Sequence, residues 1–262
     1  MRIGCIGAGT IGSLLVRGLI ASGRVTAPDV LVASRSLAAI DALRAEHPGI
    51  GVAASMEALA RSVPTVILAV RLADAGGVLA QLEPWLLPES VLLSTVGGLG
   101  LAAIETCVRA RCARIVPSIT QRVRGGAILF SPGSRMAEAD ARAVLSLLEA
   151  LGTPFVVDEP HLRIASDLTS VGPALWAQLA VGARVAAGEV GGLEADRAQA
   201  MIATTLLGLG RLLTEAGMTP EAIVRGVAVP GGVTQVALEA MTPIADGLFQ
   251  AVFRRTCGFE RA

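Results

Sequence analysis

The chain contains no lysine, no asparagine and no tyrosine among its 262 residues. A codon bias toward Arg and Ala in a GC-rich genome is the simplest origin of that gap, and it has chemical consequences. A catalytic lysine, a Schiff-base lysine and a Tyr-Lys proton-donor pair are all impossible. Two histidines, His47 and His161, are left for ordinary acid–base work near neutral pH. Charge of either sign is in balance, 22 basic against 22 acidic side chains, so no net field draws a polyanion and nucleic acid is not an expected partner. No run of 18 uncharged apolar residues occurs, since Arg184 and Arg211 interrupt the most hydrophobic stretches, and no membrane partner is expected. The four cysteines, Cys5, Cys107, Cys112 and Cys257, show neither metal-ligand spacing nor a paired framework. They read as reduced thiols, with no metal bound. A glycine-rich motif follows directly on Met1-Arg2, which leaves no room for a signal peptide and gives a cytoplasmic protein as the expectation.

What is present is apolar: 53% of the residues are hydrophobic, enough to bury a large core. Short β-branched runs at 3–6, 30–33, 65–70, 91–95, 114–116, 127–130 and 154–157 alternate with amphipathic segments, a βαβ rhythm. After Asp158-Glu159-Pro160 the strand signals stop, and helix is expected over 161–190, 195–217, 219–226 and 233–257. The expected fold is therefore α/β, a Rossmann-type dinucleotide-binding domain over 1–158 followed by an all-α domain over 159–262. Gly182, Gly188, Gly208 and Gly210 lie inside the helical patterns, where each costs roughly 1 kcal/mol against Ala, and close helix packing is the usual reason to keep them. With few charges to cover it, the helical domain is expected to bury itself against a second copy, making a homodimer or a higher homo-oligomer.

Gly7-Ala8-Gly9-Thr10-Ile11-Gly12 is a Gly-x-Gly-x-x-Gly at the end of a strand and the start of a helix. Gly7 would make the tight turn, Gly9 would admit a pyrophosphate to the backbone, and Gly12 would let helix pack on strand. The second strand ends at Ser34-Arg35, where a carboxylate for a ribose 2′-hydroxyl would stand in an NAD-binding domain. A hydroxyl and a guanidinium suit a 2′-phosphate instead, so NADPH is the expected cofactor, with NADH the weaker alternative. Ala69-Val70-Arg71 and Thr95-Val96-Gly97 close two further strands at the carboxyl edge and are expected on the nicotinamide side. Late in the chain, Val229-Pro230-Gly231-Gly232-Val233-Thr234 runs into a helix. Such a turn would present unpaired N–H groups and the Thr234 hydroxyl to an anion, the outline of a carboxylate cradle.

Five segments in this order resemble the pyrroline-5-carboxylate reductase family: Ile6 through Gly12, Leu68-Ala69-Val70-Arg71, Arg114-Ile115-Val116-Pro117-Ser118, Gly172-Pro173-Ala174, and 227–238 with its Pro-Gly-Gly and Thr234. The resemblance covers nearly the whole chain. It implies a helical dimerisation domain whose sites take residues from two subunits, with Gly231, Gly232, Val233 and Thr234 holding the substrate carboxylate and ring nitrogen, and an adenosine contact at Ser55. Departures cluster at the substrate end. Val229 stands where the family has serine, Arg71-Leu72 replaces Lys-Pro, Val116-Pro117-Ser118 replaces Met-Pro-Asn, and Thr169-Ser170-Val171 precedes Gly172-Pro173-Ala174. Val116-Pro117-Ser118-Ile119-Thr120 and Ser166-Asp167-Leu168-Thr169-Ser170 resemble a branch known from bacterial late-competence operons.

Reduction of a cyclic imine suits a chain without Lys or Tyr, because it asks the protein for orientation more than for a strong general acid. The expectation is hydride transfer from NADPH to 1-pyrroline-5-carboxylate in proline biosynthesis, with Thr234 meeting the ring nitrogen. Two alternatives stay open: a reductase of another cyclic imine or carbonyl acid, and a catalytically silent NADP-binding regulatory protein related to competence. A β-hydroxyacid dehydrogenase is disfavoured by the missing lysine. His161, after a turn, is expected on the surface or at a helix cap.

Overall fold

Alternating apolar side chains in strands of four to six residues give this sheet two buried faces, each covered by helices. The computed structural model describes residues 1–259, the side chains of Asp246 and Phe259 excepted. The chain forms two compact units, Met1–Pro173 and Ala174–Ala262. In the first, β1 (Ile3–Ile6), β2 (Val30–Ala33), β3 (Gly51–Val52), β4 (Thr65–Leu68), β5 (Val91–Ser94), β6 (Arg111–Val116), β7 (Ala127–Pro132) and β8 (Thr153–Val156) make one sheet of order β3-β2-β1-β4-β5-β6-β7-β8. Ile3 pairs in parallel with Val30 on one side and with Thr65 on the other. The strand order therefore reverses beside β1, the place where open α/β sheets leave a crevice for ligands.

Successive residues point to opposite faces. Cys5, Val32, Ile67 and Leu93 join one core with Leu15 and Leu19 of α1 (Thr10–Ala21), Leu43 of α2 (Leu37–Glu46) and Leu147 of α6 (Glu138–Leu148). Ile6, Val66, Leu68 and Leu92 join the other, with Leu59 of α3 (Met56–Ser62), Leu79 and Leu82 of α4 (Leu72–Leu82) and Ile104 of α5 (Leu101–Cys107). Burying each such side chain stabilises the fold by about 1.5–3 kcal/mol relative to leaving it exposed.

Two features depart from a pure βαβ alternation. β3 has only two residues, too few for a period of two to register in the sequence. β7 runs antiparallel to β6, Val116 opposite Leu129, because residues 117–126 hold a 3-10 helix (Ile119–Val123) rather than a crossover α-helix. Gln121 pins that connection from inside. It is 1% exposed, its Nε2 donates to the carbonyls of Gly125 and Ala127 at 3.0 and 3.2 Å, and its Oε1 accepts from the Ser118 amide.

The first unit runs past the junction expected at 158/159. α7 (Glu159–Ser166) and the π-helical turn Asp167–Val171 pack on it, with Leu162 and Asp167 at 2% and 0% exposure. The Glu159 carboxylate accepts from the Leu101 amide at 2.6 Å, and Ser170 Oγ donates to the Pro117 carbonyl at 3.0 Å. The single helix expected over 161–190 is thus divided by the wider π turn before α8 (Gly172–Gly191).

The second unit holds α8 from Ala174 onward, α9 (Ala195–Thr214), α10 (Pro220–Val227) and α11 (Val233–Phe259). Thr219 caps α10 through Oγ1, which accepts from the Ala222 amide at 3.2 Å, and Pro220 occupies its first position. Trp176, Phe249 and Phe253 cluster, with ring centroids 5.2 and 5.7 Å apart. Among the described residues of this unit, Ala198 alone is an apolar residue in the buried set, while Leu206, Leu207, Leu209, Leu212 and Leu213 are all exposed. Among the described residues a methyl on Gly182, Gly208 or Gly210 would meet nothing within 4 Å, and one on Gly188 only the Leu193 carbonyl at 3.5 Å, so these helical glycines are not closely packed there. Residues 233–258 are long and apolar enough to cross a membrane by length and composition, a length signal that the uninterrupted-run criterion did not register.

Candidate active site

The chain turns sharply at the carboxyl end of β1 because Gly7 adopts φ +99°. A side chain there would stand 2.2 Å from the Ala69 carbonyl oxygen, while the Gly7 amide donates to the Ala33 carbonyl at 2.8 Å. Gly12 is enclosed as well, a methyl on it lying 1.8 Å from the Gly7 carbonyl oxygen. Gly9 differs, having nothing within 4 Å of its Cβ position and lying exposed at the N-cap of α1. No side chain caps that helix and no acid lies in its first turn, so its amides and its partial positive charge are left for an anion. The three glycines thus divide as the fingerprint requires, two for packing and one for access.

Around this turn lies a cleft of about 930 Å³. Gly7, Ala8, Gly9, Ser34, Arg35, Ser55, Ala69, Val70 and Arg71 all line it, so the structure brings together nine of the residues singled out from sequence. Ser55 also caps α3, its Oγ accepting from the Ala58 amide at 3.0 Å, and Ser34 Oγ accepts from the Ser36 amide at 3.3 Å. Thr10 and Ile11 line a separate cleft of about 530 Å³ with Pro117 and Ser170. Gly12 packs in the interior. Thr95, Val96 and Gly97 line neither cleft: Thr95 Oγ1 donates to the Leu68 carbonyl at 3.2 Å, Val96 is 3% exposed, and Gly97 is open to solvent.

Arg71 follows β4 and N-caps α4. Its Nε donates to Asp74 Oδ2 at 3.1 Å, and Arg35 Nη2 donates to the same oxygen at 2.6 Å, so the two guanidinium groups meet at the first turn of α4. The hydrogen bond from Arg71, and secondarily that from Arg35, holds the Asp74 carboxyl below its usual range. Sequence reading missed Asp74. Its signal was an acid in the first turn of the helix after β4, three residues beyond an arginine.

The Pro-Gly-Gly segment lies in the second unit, between α10 and α11. Gly231 has φ +74° and its amide donates to Gln235 Oε1 at 2.8 Å, while the Gly232 amide donates to the Val229 carbonyl at 2.9 Å. The turn is thus partly closed by its own helix, which was not foreseen. The amides of Val233 and Thr234 take no part in these turn bonds. Val229 and Val233 are 64% and 85% exposed, and Thr234 is partly buried.

The remaining titratable groups have structural surroundings. His161 is exposed, its Nδ1 2.7 Å from the Asp158 carboxylate, and His47 ends α2. All four cysteines are free; burial pushes the Cys5 thiol up to about 12.

Residues 159–257 match the family model described as pyrroline-5-carboxylate reductase dimerisation, and residues 2–98 match that described as NADP oxidoreductase, coenzyme F420-dependent. The chain is 27% identical to ComE operon protein 4 of Bacillus subtilis (strain 168), over 98% of this chain and 94% of that protein. It is 28% identical to pyrroline-5-carboxylate reductase 3 of Rattus norvegicus, over 92% and 87% of the two chains. A solved pyrroline carboxylate reductase from Plasmodium falciparum, with NADP bound, shares the fold at TM-score 0.87 and 20% identity, covering 99% of this chain and 97% of its own. That of Coxiella burnetii does so at 0.85 and 24%, covering 99% and 95%. A doubly wound sheet with a glycine turn at its switch point, followed by a helical domain of this type, defines an NAD(P)H-dependent oxidoreductase. Within that class the chain is similar over nearly its whole length to pyrroline-5-carboxylate reductases, and residues 159–257 match that family's dimerisation domain, in line with the order of its motifs.

Proposed function

We propose that this protein is an NADPH-dependent reductase that delivers hydride to the C=N carbon of a small cyclic imino acid, 1-pyrroline-5-carboxylate first among them, with proline as product. The observation that carries the reading is the cleft at the β1 switch point: an open Gly9 beside an uncapped helix N-terminus, Arg35 just past the end of β2 where a carboxylate would stand for NADH, and Arg71 joined to it through Asp74. These residues fit a dinucleotide with a 2′-phosphate, the glycine turn holding the pyrophosphate and Ser34, Arg35 and Arg71 the adenosine end. NADH, without that phosphate, is the weaker donor. Bound NADPH supplies the hydride.

The chain supplies orientation. Gly231, Gly232 and Val233 offer backbone to the substrate carboxylate, the Val233 and Thr234 amides standing at the start of α11 where the helix favours an anion. The Thr234 hydroxyl meets the ring nitrogen, accepting from a protonated imine and donating to the amine it becomes. Correct placement contributes several kcal/mol to such a step, on the order of 7 or more in favourable cases, without a general acid. The helical unit associates with a second copy, for which its exposed leucines provide the apolar surface, and the same contact accounts for the length and apolarity of α11. A cytoplasmic place in proline biosynthesis follows from this reading.

A second reading, reduction of a different cyclic imine or carbonyl acid, is favoured by Val229, Val171 and the Gly231–Gln235 hydrogen bond, which remodel the substrate end and leave the cofactor end intact. The similarity to ComE operon protein 4 keeps a silent NADP-binding regulator as the reading from another class. NADPH oxidation by the purified protein, followed with a panel of cyclic imines and keto acids, separates the three. Consumption with pyrroline-5-carboxylate supports the first, consumption only with another compound the second, and tight NADPH binding with no consumption the third.

A further inference from the structure

Two exposed arginines in the dinucleotide cleft share one carboxylate oxygen. Arg35 and Arg71 have side chains 76% and 78% exposed, whereas that of Asp74 is 21% exposed, so the anion sits low and the cations stand above it. Arg35 engages it through Nη2 and Arg71 through Nε. Each guanidinium carries five N–H donors in a rigid fork, and each therefore keeps a further donor edge for a second partner. Asp74 is fixed from below: its amide donates to the Arg71 carbonyl at 3.0 Å, and it lies in the first turn of α4, whose partial positive charge favours a carboxylate. Among the described residues it is the only acid lining the cleft, and one negative charge against two positive ones leaves a net attraction for a phosphate.

We infer that Asp74 is a specificity-determining positioning residue, whose carboxylate gathers Arg35 and Arg71 into a paired guanidinium receptor for the 2′-phosphate of a phosphorylated dinucleotide. The inference rests on the NADPH reading above. Without the carboxylate, two like charges on long side chains repel one another and spread over many rotamers, and the phosphate must order both. With it, they are held side by side beforehand. Asp74 does not occupy the place of an acid that binds a ribose 2′-hydroxyl, which would follow β2, because it lies in the first turn of α4 after β4.

The experiment is equilibrium titration of the full chain with 2′,5′-ADP and with 5′-AMP, two fragments that differ only in the 2′-phosphate, alongside KM for NADPH and NADH where turnover is measurable. Asp74→Ala is expected to weaken 2′,5′-ADP about 10-fold while 5′-AMP changes by less than about 2-fold, and Arg71→Ala to do the same. Asp74→Asn keeps an acceptor oxygen and is expected to recover part of the loss, which a role in folding alone would not produce. Unchanged or tighter 2′,5′-ADP binding by Asp74→Ala would show that the carboxylate competes with the phosphate, and equal loss of both fragments in both variants would show a general structural role; either overturns the inference. If the unaltered protein binds the two fragments equally, the NADPH reading falls and this one with it, whereas a wild-type preference that survives Asp74→Ala overturns the Asp74 role alone.

Discussion

A methyl group on Gly12 would lie 1.8 Å from the Gly7 carbonyl oxygen, so α1 can leave β1 at its observed angle only because residue 12 has no side chain. A methyl group on Gly9, between them, would meet nothing within 4 Å. The two positions should therefore fail differently. Gly12→Ala is expected to destabilise the fold by about 1–3 kcal/mol through overpacking against backbone, read as a lower denaturant midpoint. Gly9→Ala is expected to leave that midpoint unchanged and to weaken NADPH binding about tenfold or more, by occupying the approach of the pyrophosphate.

Arg35 lines the cleft and engages Asp74 through Nη2 alone. Arg35→Asp reverses its charge, and NADPH affinity is expected to fall roughly a hundredfold while NADH changes only a few-fold. Fluorescence titration of the two cofactors measures the ratio. Equal responses would remove the 2′-phosphate from this end of the cleft.

Thr234 opens α11 beside two amides outside the turn's own hydrogen bonds. Thr234→Ala is expected to lower kcat about 10- to 100-fold with the NADPH dissociation constant unchanged. Steady-state kinetics beside a binding isotherm checks both halves, and undiminished turnover would take Thr234 out of the mechanism.

Leu206, Leu209 and Leu213 recur at i, i+3 and i+7 on α9 and are 46%, 38% and 37% exposed within one chain. Burying the part of each leucine still exposed would favour association by on the order of 1 kcal/mol per leucine on each side, before the cost of association. Leu209→Glu combined with Leu213→Glu is expected to move the protein from dimer to monomer in sedimentation at micromolar concentration. A wild-type monomer would contradict the shared helical interface.

Burial raises the Cys5 thiol from its ordinary value of 9.0 to about 12 and the Cys112 thiol to about 11. Both stay neutral when folded, while in the unfolded chain they ionise near 9, so their contribution is complete below pH 9 and is lost as pH rises toward 11 and 12. The denaturant midpoint is expected to decline over that window, less so in Cys5→Ala. At neutral pH a thiol reagent should modify the exposed Cys107 at once and these two only on unfolding.

The sheet was legible because Ile3, Val30, Thr65 and Val91 each open a four-residue apolar run, and the cofactor turn because its three glycines have distinct steric duties. The two-residue β3 was not, having too short a pattern, and neither was the direction of β7, which depends on what the 117–126 connection can span. Strand signals stop at 158/159, where the match to the helical family model also begins, while packing of Leu162 and Asp167 carries the first compact unit on to Pro173. Side-chain pairings were the least legible. Nothing in the spacing of residues 35, 71 and 74 announces that two arginines converge on one acid, since that depends on β2 and β4 flanking β1. The Gln235 bond to the Gly231 amide was hidden for the opposite reason: it is local, but one of several turns the same residues could form.

The central claim is hydride delivery from NADPH to a cyclic imino acid, and the most direct measurement is the stoichiometry of that reaction. Purified protein is incubated with NADPH and 1-pyrroline-5-carboxylate, and NADPH consumed is compared with proline formed. The account predicts one proline for each NADPH, formed more slowly by Gly9→Ala at subsaturating NADPH and greatly slowed in Thr234→Ala. Tight NADPH binding with neither proline formation nor NADPH consumption, for this or any other cyclic imine, would contradict it.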